Sequence, residues 1–398
     1  MARLYTVHRL KIGHTEQMDA LARAAGELYS QVVVWFWRTV RHKDLWLKAK
    51  HLMRWLTSAL LHAHSSDAVV QSFFAALAAW RERRKSDPAA KPPRRRKRYY
   101  RVQWKPSAMT IKNGRLRLAN GRGHAPLVVP WCWALPCQVE MGWDGTQYEL
   151  RATYLLEEPR IIGAHEVAGI DLGEVHPSVA HDGTTTTILN GGDVRSVRRY
   201  QNKLKGKLDA LINCKTRGSR RRRRLIHSKK KQLRSITHQL RDALHKQTTK
   251  LVSILHDAKI QTVAIGDLRD CRRAKDYGRK GNQHIHQMPS GIVRDMLTYK
   301  AQRLGMQVVL VNERGTTKTC PRCGRRYKPN GRMYRCRNPK CGFVYHRDGV
   351  GAINIRRTYT GSGPVVGAMA SPSGVRYQPH MRCSTLLPPS GVKESQAL

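Results

Sequence analysis

The chain has 398 residues, of which 74 are Lys or Arg and 27 are Asp or Glu, giving a formal net charge of +47. A surplus that large repels itself in a compact body unless a polyanion neutralises it, so nucleic acid is the expected partner. The absence of any run of 18 apolar residues excludes a transmembrane helix, and Met1-Ala2-Arg3-Leu4-Tyr5 is no signal peptide, so the expected setting is the cytosol, nucleoid-associated, with reduced thiols. The length suggests two or three domains.

In chain order, Leu4–Ile12 alternates apolar and polar residues and predicts a strand. The period then becomes helical. Met18, Leu21, Ala25, Leu28, Val32 and Phe36 mark a first helix, and Leu45, Ala49, Leu52, Leu56 and Leu60 a second. A third, capped by Ser66 or Asp67, carries Val70, Phe73, Leu77 and Trp80. These make a helical bundle whose outer face, with Arg38, Arg41, His42, Lys43, Lys48 and Lys50, could track a phosphate backbone. Arg81–Arg101 holds three prolines and eleven basic residues and predicts a linker, or an arm ordered by nucleic acid. Two hairpins follow. Met109 and Ile111 face Leu118 and Leu116 across Asn113-Gly114, and Val139, Met141 and Trp143 face Ala152, Leu150 and Tyr148 across Asp144-Gly145. With Leu4–Ile12 they suggest a small β-barrel that the helices interrupt, with Trp131, Cys132 and Trp133 in its core.

At Val167 the character changes. Val-Ala-Gly-Ile-Asp-Leu-Gly is a short buried strand carrying one charge, Asp171, which is costly there unless it binds a cation or is hydrogen-bonded. A meander follows through Pro177–Ala180, the Asp182-Gly183 turn and Thr184–Leu189. A long helical region from Val194 to about His256 is broken by Arg217-Gly-Ser and the run Arg220, Arg221, Arg222, Arg223 and Arg224, which suits a narrow polyanionic groove. A strand over Gln261–Leu268, a helix over Gly291–Arg303 and a strand over Gln307–Val311 complete the order.

Glu313 and Asp348 then flank four cysteines. Cys320 and Cys323 are spaced C-P-R-C, and Cys336 and Cys341 are spaced C-R-N-P-K-C, a zinc ribbon in which Gly324 and Gly342 let the chain turn around Zn²⁺. Such a closed site is structural and holds the two acids at a fixed separation. Cys132, Cys137, Cys214, Cys271 and Cys383 remain as incidental thiols. Lys318 and Arg347 flank the acids and are placed to contact a scissile strand, with plain surface basicity as the alternative. His346 reads as packing and Asn354 as structural, and disorder is expected after Tyr359.

An acid ending the first strand and another in a late helix is the ribonuclease-H arrangement. Gly-Ile-Asp-Leu-Gly with Asp171, the Thr-Thr-Lys-Thr-Cys-Pro-Arg-Cys-Gly and Cys-Arg-Asn-Pro-Lys-Cys-Gly ribbon halves, and His-Arg-Asp-Gly-Val-Gly-Ala-Ile-Asn-Ile with Asp348 together resemble the RuvC-type nuclease of the TnpB family, which is encoded by bacterial insertion sequences and related to type V CRISPR effectors. The resemblance implies an α/β multidomain protein. Residues 1–13 and 98–164 would form a wedge β-barrel and 14–97 an α-helical recognition lobe with its basic linker. Residues 165–317 and 346–360 would form the ribonuclease-H-like (RuvC) domain, 318–345 the inserted zinc ribbon and 361–398 a disordered tail.

It also implies an RNA-guided DNA endonuclease whose partners are a guide RNA and target double-stranded DNA, without membrane. Its cofactors would be Zn²⁺ and Mg²⁺, because two-Mg²⁺ phosphodiester hydrolysis needs carboxylates converging from separate elements. The Arg220–Arg224 run would hold guide RNA or the heteroduplex through backbone shape. One departure stands out: where the family ends its second strand with Glu before Asp-Leu, this chain has Gly266-Asp267-Leu268. Three readings are open. Glu313, in Val-Asn-Glu-Arg-Gly-Thr-Thr-Lys-Thr-Cys, supplies the carboxylate from the next strand; Asp267 supplies it, although alternation points it to the opposite face; or the site is dead and the protein is a guided DNA-binding repressor.

Overall fold

The computed structural model describes residues 4–95, 98–157, 166–268 and 276–362, with 279, 280 and 374–378 in backbone only. It divides into two compact units, Met1–Glu157 and Glu158–Leu398.

The first unit opens with β1 (Tyr5–Ile12), followed by α1 (Glu16–Lys43), α2 (Ala49–Trp55) and α3 (Ala63–Ser86). The periodic residues of α1 are buried as expected, and Thr15 caps it by accepting from the Met18 N–H at 3.3 Å. The second helix is shorter than its apolar pattern predicts. Leu45 is 53 % exposed, Leu56 is extended (φ −96°, ψ 97°), and the Leu60 carbonyl is taken by the Gly121 N–H at 2.9 Å, so loop packing wins over the helical period. The third begins a turn early. His62 Nδ1 accepts from the His64 N–H, while the supposed cap Ser66 is buried and accepts from the Ser58 N–H.

Within the basic linker the Tyr100 N–H bonds to the Ala22 carbonyl at 2.8 Å; Arg96 and Lys97 lie outside the described residues. The strands are β2 (Val102–Trp104), β3 (Met109–Lys112), β4 (Arg115–Leu118), β5 (Leu127–Pro130), β6 (Gln138–Trp143) and β7 (Tyr148–Leu155). Both hairpins have the expected register, and Asn113 and Gly114 take φ of 52° and 65°, as a two-residue type I′ turn requires.

The barrel is corrected. The strands form two open sheets, β1-β7-β6-β2 and β3-β4-β5, and among the described residues no ladder closes them. At the free edges β2 spans three residues and β5 ends at Pro130, which has no N–H to extend a ladder. Nor does a separate wedge stand apart from the helices. One core runs from Leu21, Phe36 and Phe73 through Trp104, Leu116, Met141 and Leu150.

The second unit contains a mixed sheet of the ribonuclease-H kind. Its strands are β8 (Val167–Asp171), β9 (Val179–His181), β10 (Thr185–Leu189), β11 (Thr262–Asp267), β12 (Gln307–Asn312) and β15 (Gly374–Gln378), in spatial order β12-β11-β8-β9-β10-β15. Strands β8, β9 and β10 form the antiparallel meander, and β11 and β12 add in parallel on the other side. Strand β15 lies within the stretch expected to be a disordered tail and pairs in parallel with β10; the remainder of 363–398 lies outside the described residues.

Between strands run α4 (Gly192–Asn213), α5 (Arg220–Asp257), α6 (Gly278–Gln287) and α7 (Ser290–Arg303). The two-stranded β13 (Met333–Arg335) and β14 (Val344–His346) lead into α8 (Arg347–Thr360). Strand alternation sorts the two faces. Ala168, Ile170, Val263 and Ile265 share a core with Leu251, Leu255 and Leu297 of α5 and α7, whereas Val167, Ala264 and Val311 pack on Ile355 of α8. A Cβ on Gly169 would lie 2.2 Å from the Ala352 carbonyl oxygen, so α8 can rest on β8 only at a glycine.

Candidate active site

The face under α8 gathers the acids. Asp171 ends β8. Extending the β8–β11 register one step beyond Ile170–Ile265 sets Gly266 level with Asp171, and Gly266 in turn pairs with Val311. Side chains alternate, so Glu313, two residues past Val311, falls on the same face, while Asp267 falls on the other.

The space that Gly266 leaves is taken by that glutamate. A Cβ at 266 would meet Glu313 Oε2 at 2.6 Å and Ile355 Cδ1 at 2.9 Å. Glu313 Oε2 is buried with no hydrogen-bond partner among the described residues. Burial first, and then the charge of Asp267, lifts the Glu313 carboxyl to about 7. Asp171 is pushed well above its ordinary value by burial and then by the charges of Glu313 and Asp348, with Arg347 opposing. Helix α8 meets it at Gly351, where a Cβ would lie 2.4 Å from Asp171 Oδ2.

Asp348 sits in the first turn of α8 and is 9 % exposed. His176 Nδ1 donates to its Oδ2 at 2.8 Å, Arg332 Nη1 to Oδ2 at 3.3 Å and Arg347 Nε to Oδ1 at 3.2 Å. Burial alone would raise this carboxyl, but the His176 bond and the Arg347 charge hold it at about 2. Among the described residues, metal-type donors within 4.8 Å of one another occur in two groups: the four cysteines, and His176, His346 and Asp348. Asp171 thus feels the charge of Glu313 and of Asp348, but the three do not form so tight a group. Their chemistry still suits a hard cation. All are oxygen donors, one oxygen is orphaned and buried, and the two charges acting on Asp171 favour a positive charge beside it.

The cysteine knuckle is a cluster consistent with a zinc-binding motif. Cys320 and Cys341 Sγ are 3.7 Å apart and Cys323 and Cys336 Sγ 3.5 Å. Bonds of about 2.3 Å to a tetrahedral ion set S···S near 3.8 Å. Gly324 and Gly342 take φ of 71° and 60°, the turns expected of them. Asn354 is structural, as expected: its Nδ2 donates to the Thr316 and Thr319 carbonyls at 2.6 and 2.7 Å, and the Arg357 guanidinium donates to the Pro321 carbonyl. Helix α8 therefore carries Asp348 and also grips the segment between Glu313 and the knuckle.

Lys318 is exposed, while Arg347 is engaged with Asp348 and with the Gly331 carbonyl at 3.3 Å. The arginine run forms the first turns of α5. Arg220, Arg221, Arg223 and Arg224 are exposed, with Arg217 just before them, whereas Arg222 Nη1 caps α4 through the Ile212 and Lys215 carbonyls at 2.9 and 3.0 Å. His176 and Arg332 were not predicted. His176 lies in the loop after Asp171, where a single histidine carries no periodic signal.

Residues 291–355 match the family described as Cas12f1-like, TNB domain, and residues 154–272 that described as OrfB_IS605, probable transposase. A TnpB-like protein of Methanocaldococcus jannaschii is 31 % identical over 119 residues, 29 % of this chain and 41 % of that protein. A TnpB-like protein of Acanthamoeba polyphaga mimivirus is 27 % identical over 223 residues, covering 51 % of this chain and 40 % of its own length. The chain thus spans less than half of either relative. Among solved structures, the protein of a Cas12f1–sgRNA–target DNA complex shares the fold, with a TM-score of 0.59, 12 % identity and coverage of 86 % of this chain and 83 % of that one. The matched stretches together make the chain a relative of the TnpB/Cas12f-like transposase family.

Proposed function

We propose that the chain is an RNA-guided DNA endonuclease of a bacterial insertion sequence, with Asp171, Glu313 and Asp348 as ligands for Mg²⁺ and the four cysteines as ligands for Zn²⁺. One observation carries this reading: the Glu313 carboxylate fills the space over Gly266, on the face of the sheet that holds Asp171. Glu313 would supply from the next strand the carboxylate that Gly266 lacks, while strand alternation turns Asp267 toward the other face.

Mg²⁺ bound at these acids would activate a water and stabilise the leaving oxygen of a phosphodiester. The chain's own part is to hold the carboxylates. Asp171 is fixed at the end of a central strand, Glu313 is desolvated against Ile355, and Asp348 is oriented by His176. Lys318, Arg347, Arg217 and the exposed arginines of α5 would contact nucleic-acid backbones, and residues 14–97 would serve as the recognition lobe. The partners are those named for the complex that shares the fold: a guide RNA and a DNA target.

The test is plasmid cleavage by the purified ribonucleoprotein, its guide read by sequencing the copurified RNA, with and without Mg²⁺. Asp171→Ala, Glu313→Ala and Asp348→Ala should each abolish cutting. Gly266→Glu combined with Glu313→Ala should restore part of it, since the space then holds one carboxylate again. Normal cutting by Glu313→Ala would sink the displaced-glutamate assignment.

A second reading, a guided repressor that binds without cutting, is favoured by the state of Asp348, whose two oxygens are taken up by His176, Arg332 and Arg347. It predicts target binding with no cleavage in any divalent metal.

A further inference from the structure

A second constructed feature lies beside the acids. The loop leaving β8 places His176 on Asp348 and Glu174 in the wall of a cavity of about 360 Å³ between α4 and α6. Helix α4 lines this cavity with Arg195, Arg198, Arg199, Asn202 and Lys203, which are spaced i, i+3, i+4, i+7 and i+8 and so share one face. Where a helix face is covered by a neighbour that stripe is usually apolar; here it is cationic.

Glu174 Oε1 neutralises Arg195 at 3.1 Å and also meets His284 Nδ1 of α6 at 2.9 Å. Arg198 is half-buried, touches Gln201 Oε1 at 3.2 Å, and is lowered from its ordinary value by burial. Among the described residues no carboxylate pairs with Arg198, Arg199 or Lys203. A partly desolvated cation without a counter-ion is stabilised by an anionic ligand.

The cavity also offers more than charge. Asn202 and Gln287 form a reciprocal amide pair, Nδ2 to Oε1 at 2.8 Å and Nε2 to Oδ1 at 3.2 Å. Each amide keeps one N–H and one acceptor lone pair for a ligand. Val194, Met288 and Pro289 add an apolar wall.

We infer that this cavity is a nucleotide subsite. It takes one nucleotide of single-stranded DNA, next to the phosphodiester held at the acids: the phosphate lies on Arg198, Arg199 and Lys203, the base edge on the Asn202–Gln287 pair, and the base face against Met288 and Pro289. The volume of about 360 Å³ lies near the lower end of ligand pockets, about 300–1,000 Å³, a size suited to one unstacked nucleotide. Its neighbourhood to the scissile bond rests on the nuclease reading above; its chemistry does not.

The test uses the full-length protein in EDTA, so that no cleavage is required, and deoxyhexanucleotides carrying 5-iododeoxyuridine at each position in turn. After irradiation, one probe position should cross-link to the peptide containing Met288. Arg198→Gln and Asn202→Leu should each cut that yield about five-fold or more, with the melting temperature falling by no more than a few degrees, about the cost of the lost Asn202–Gln287 bonds. Cross-links that spread over other basic surfaces and ignore both variants overturn the subsite. A stronger cross-link of the same peptide to the matching 5-iodouridine RNA overturns the assignment to DNA and gives the cavity to the guide. Asp171→Ala should abolish cleavage in Mg²⁺ and keep the cross-link. A wild-type protein that cross-links at Met288 yet never cleaves overturns the nuclease reading and the scissile-bond placement, while the nucleotide pocket stands.

Discussion

At the scale of single residues the acids make opposite demands on pH. Glu313 is lifted to about 7. A carboxyl whose folded value exceeds its unfolded value of about 4.3 makes the folded state the better proton binder, so the stability it contributes is full below about pH 4 and lost as pH rises through 7. Asp348, held at about 2, has the opposite sign: its contribution is present above its unfolded value of about 3.9 and is lost as pH falls through 2. In metal-free protein the melting temperature should therefore decline between about pH 4 and 7, with Asp171, also raised, adding to the decline, and Glu313→Gln should make it shallower. A melting curve in EDTA across that range checks it.

Gly351 gives a second residue-scale prediction. A methyl there would lie 2.4 Å from Asp171 Oδ2, so Gly351→Ala should displace the carboxylate and cut cleavage roughly ten-fold, about 1.4 kcal/mol of barrier, with little change in melting temperature. Single residues were also where the sequence was least legible. His176 and Arg332 reach Asp348 only after folding, across 172 and 16 residues of chain, and no local pattern announces either. The sheet face of Glu313 was legible because it lies two positions past Val311, in a strand whose register could be guessed.

At the scale of elements, α8 is a brace as much as a carrier of Asp348. Asn354 satisfies two carbonyls of the segment entering the knuckle, and Val350 and Ile353 share a small core with Cys320, Cys341, Tyr334 and Phe343. Asn354→Ala should cost about 1–3 kcal/mol for the orphaned carbonyls and lower cleavage with it, because Glu313 immediately precedes the loosened segment. Thermal melts with parallel cleavage assays distinguish this from a silent surface change.

The start of α5 is the converse case. Five arginines from Ser219 onward oppose the positive end of the helix dipole, a poor arrangement for stability alone. Arg222→Ala should destabilise by about 1 kcal/mol, since it removes the cap on α4. Substituting Arg220, Arg221, Arg223 and Arg224 together by glutamine should raise the melting temperature slightly, by relieving the clash with the helix dipole, and shallow the salt dependence of binding by about 0.7–0.9 for each phosphate no longer neutralised. Elements with a clean period were readable in advance, including both hairpins, α1 and the meander. The second helix was overestimated because Leu56 and Leu60 serve loop packing, and α6 went unseen because Gly-Arg-Lys-Gly-Asn-Gln-His-Ile-His-Gln has no apolar stripe.

At the scale of the molecule, composition pointed to nucleic acid and the order of elements to a ribonuclease-H-like sheet. Closure of the first unit's strands into a barrel was not legible, because it depends on which edges pair. The pairing that does form is distant. Strand β1 zips along its whole length with β7, Tyr5 opposite Leu155 and Ile12 opposite Tyr148. Such long-range pairing folds slowly. Deleting the first dozen residues should strip an edge from the sheet and lower the melting temperature of the first unit while leaving the metal stoichiometry of the knuckle unchanged, as calorimetry and zinc analysis would show.

The fit between Gly266 and Glu313 leaves room for one side chain. A methyl at 266 would lie 2.6 Å from Glu313 Oε2, so any residue larger than glycine there obliges the glutamate to swing aside. The glycine thus sets where the neighbouring strand's carboxylate rests.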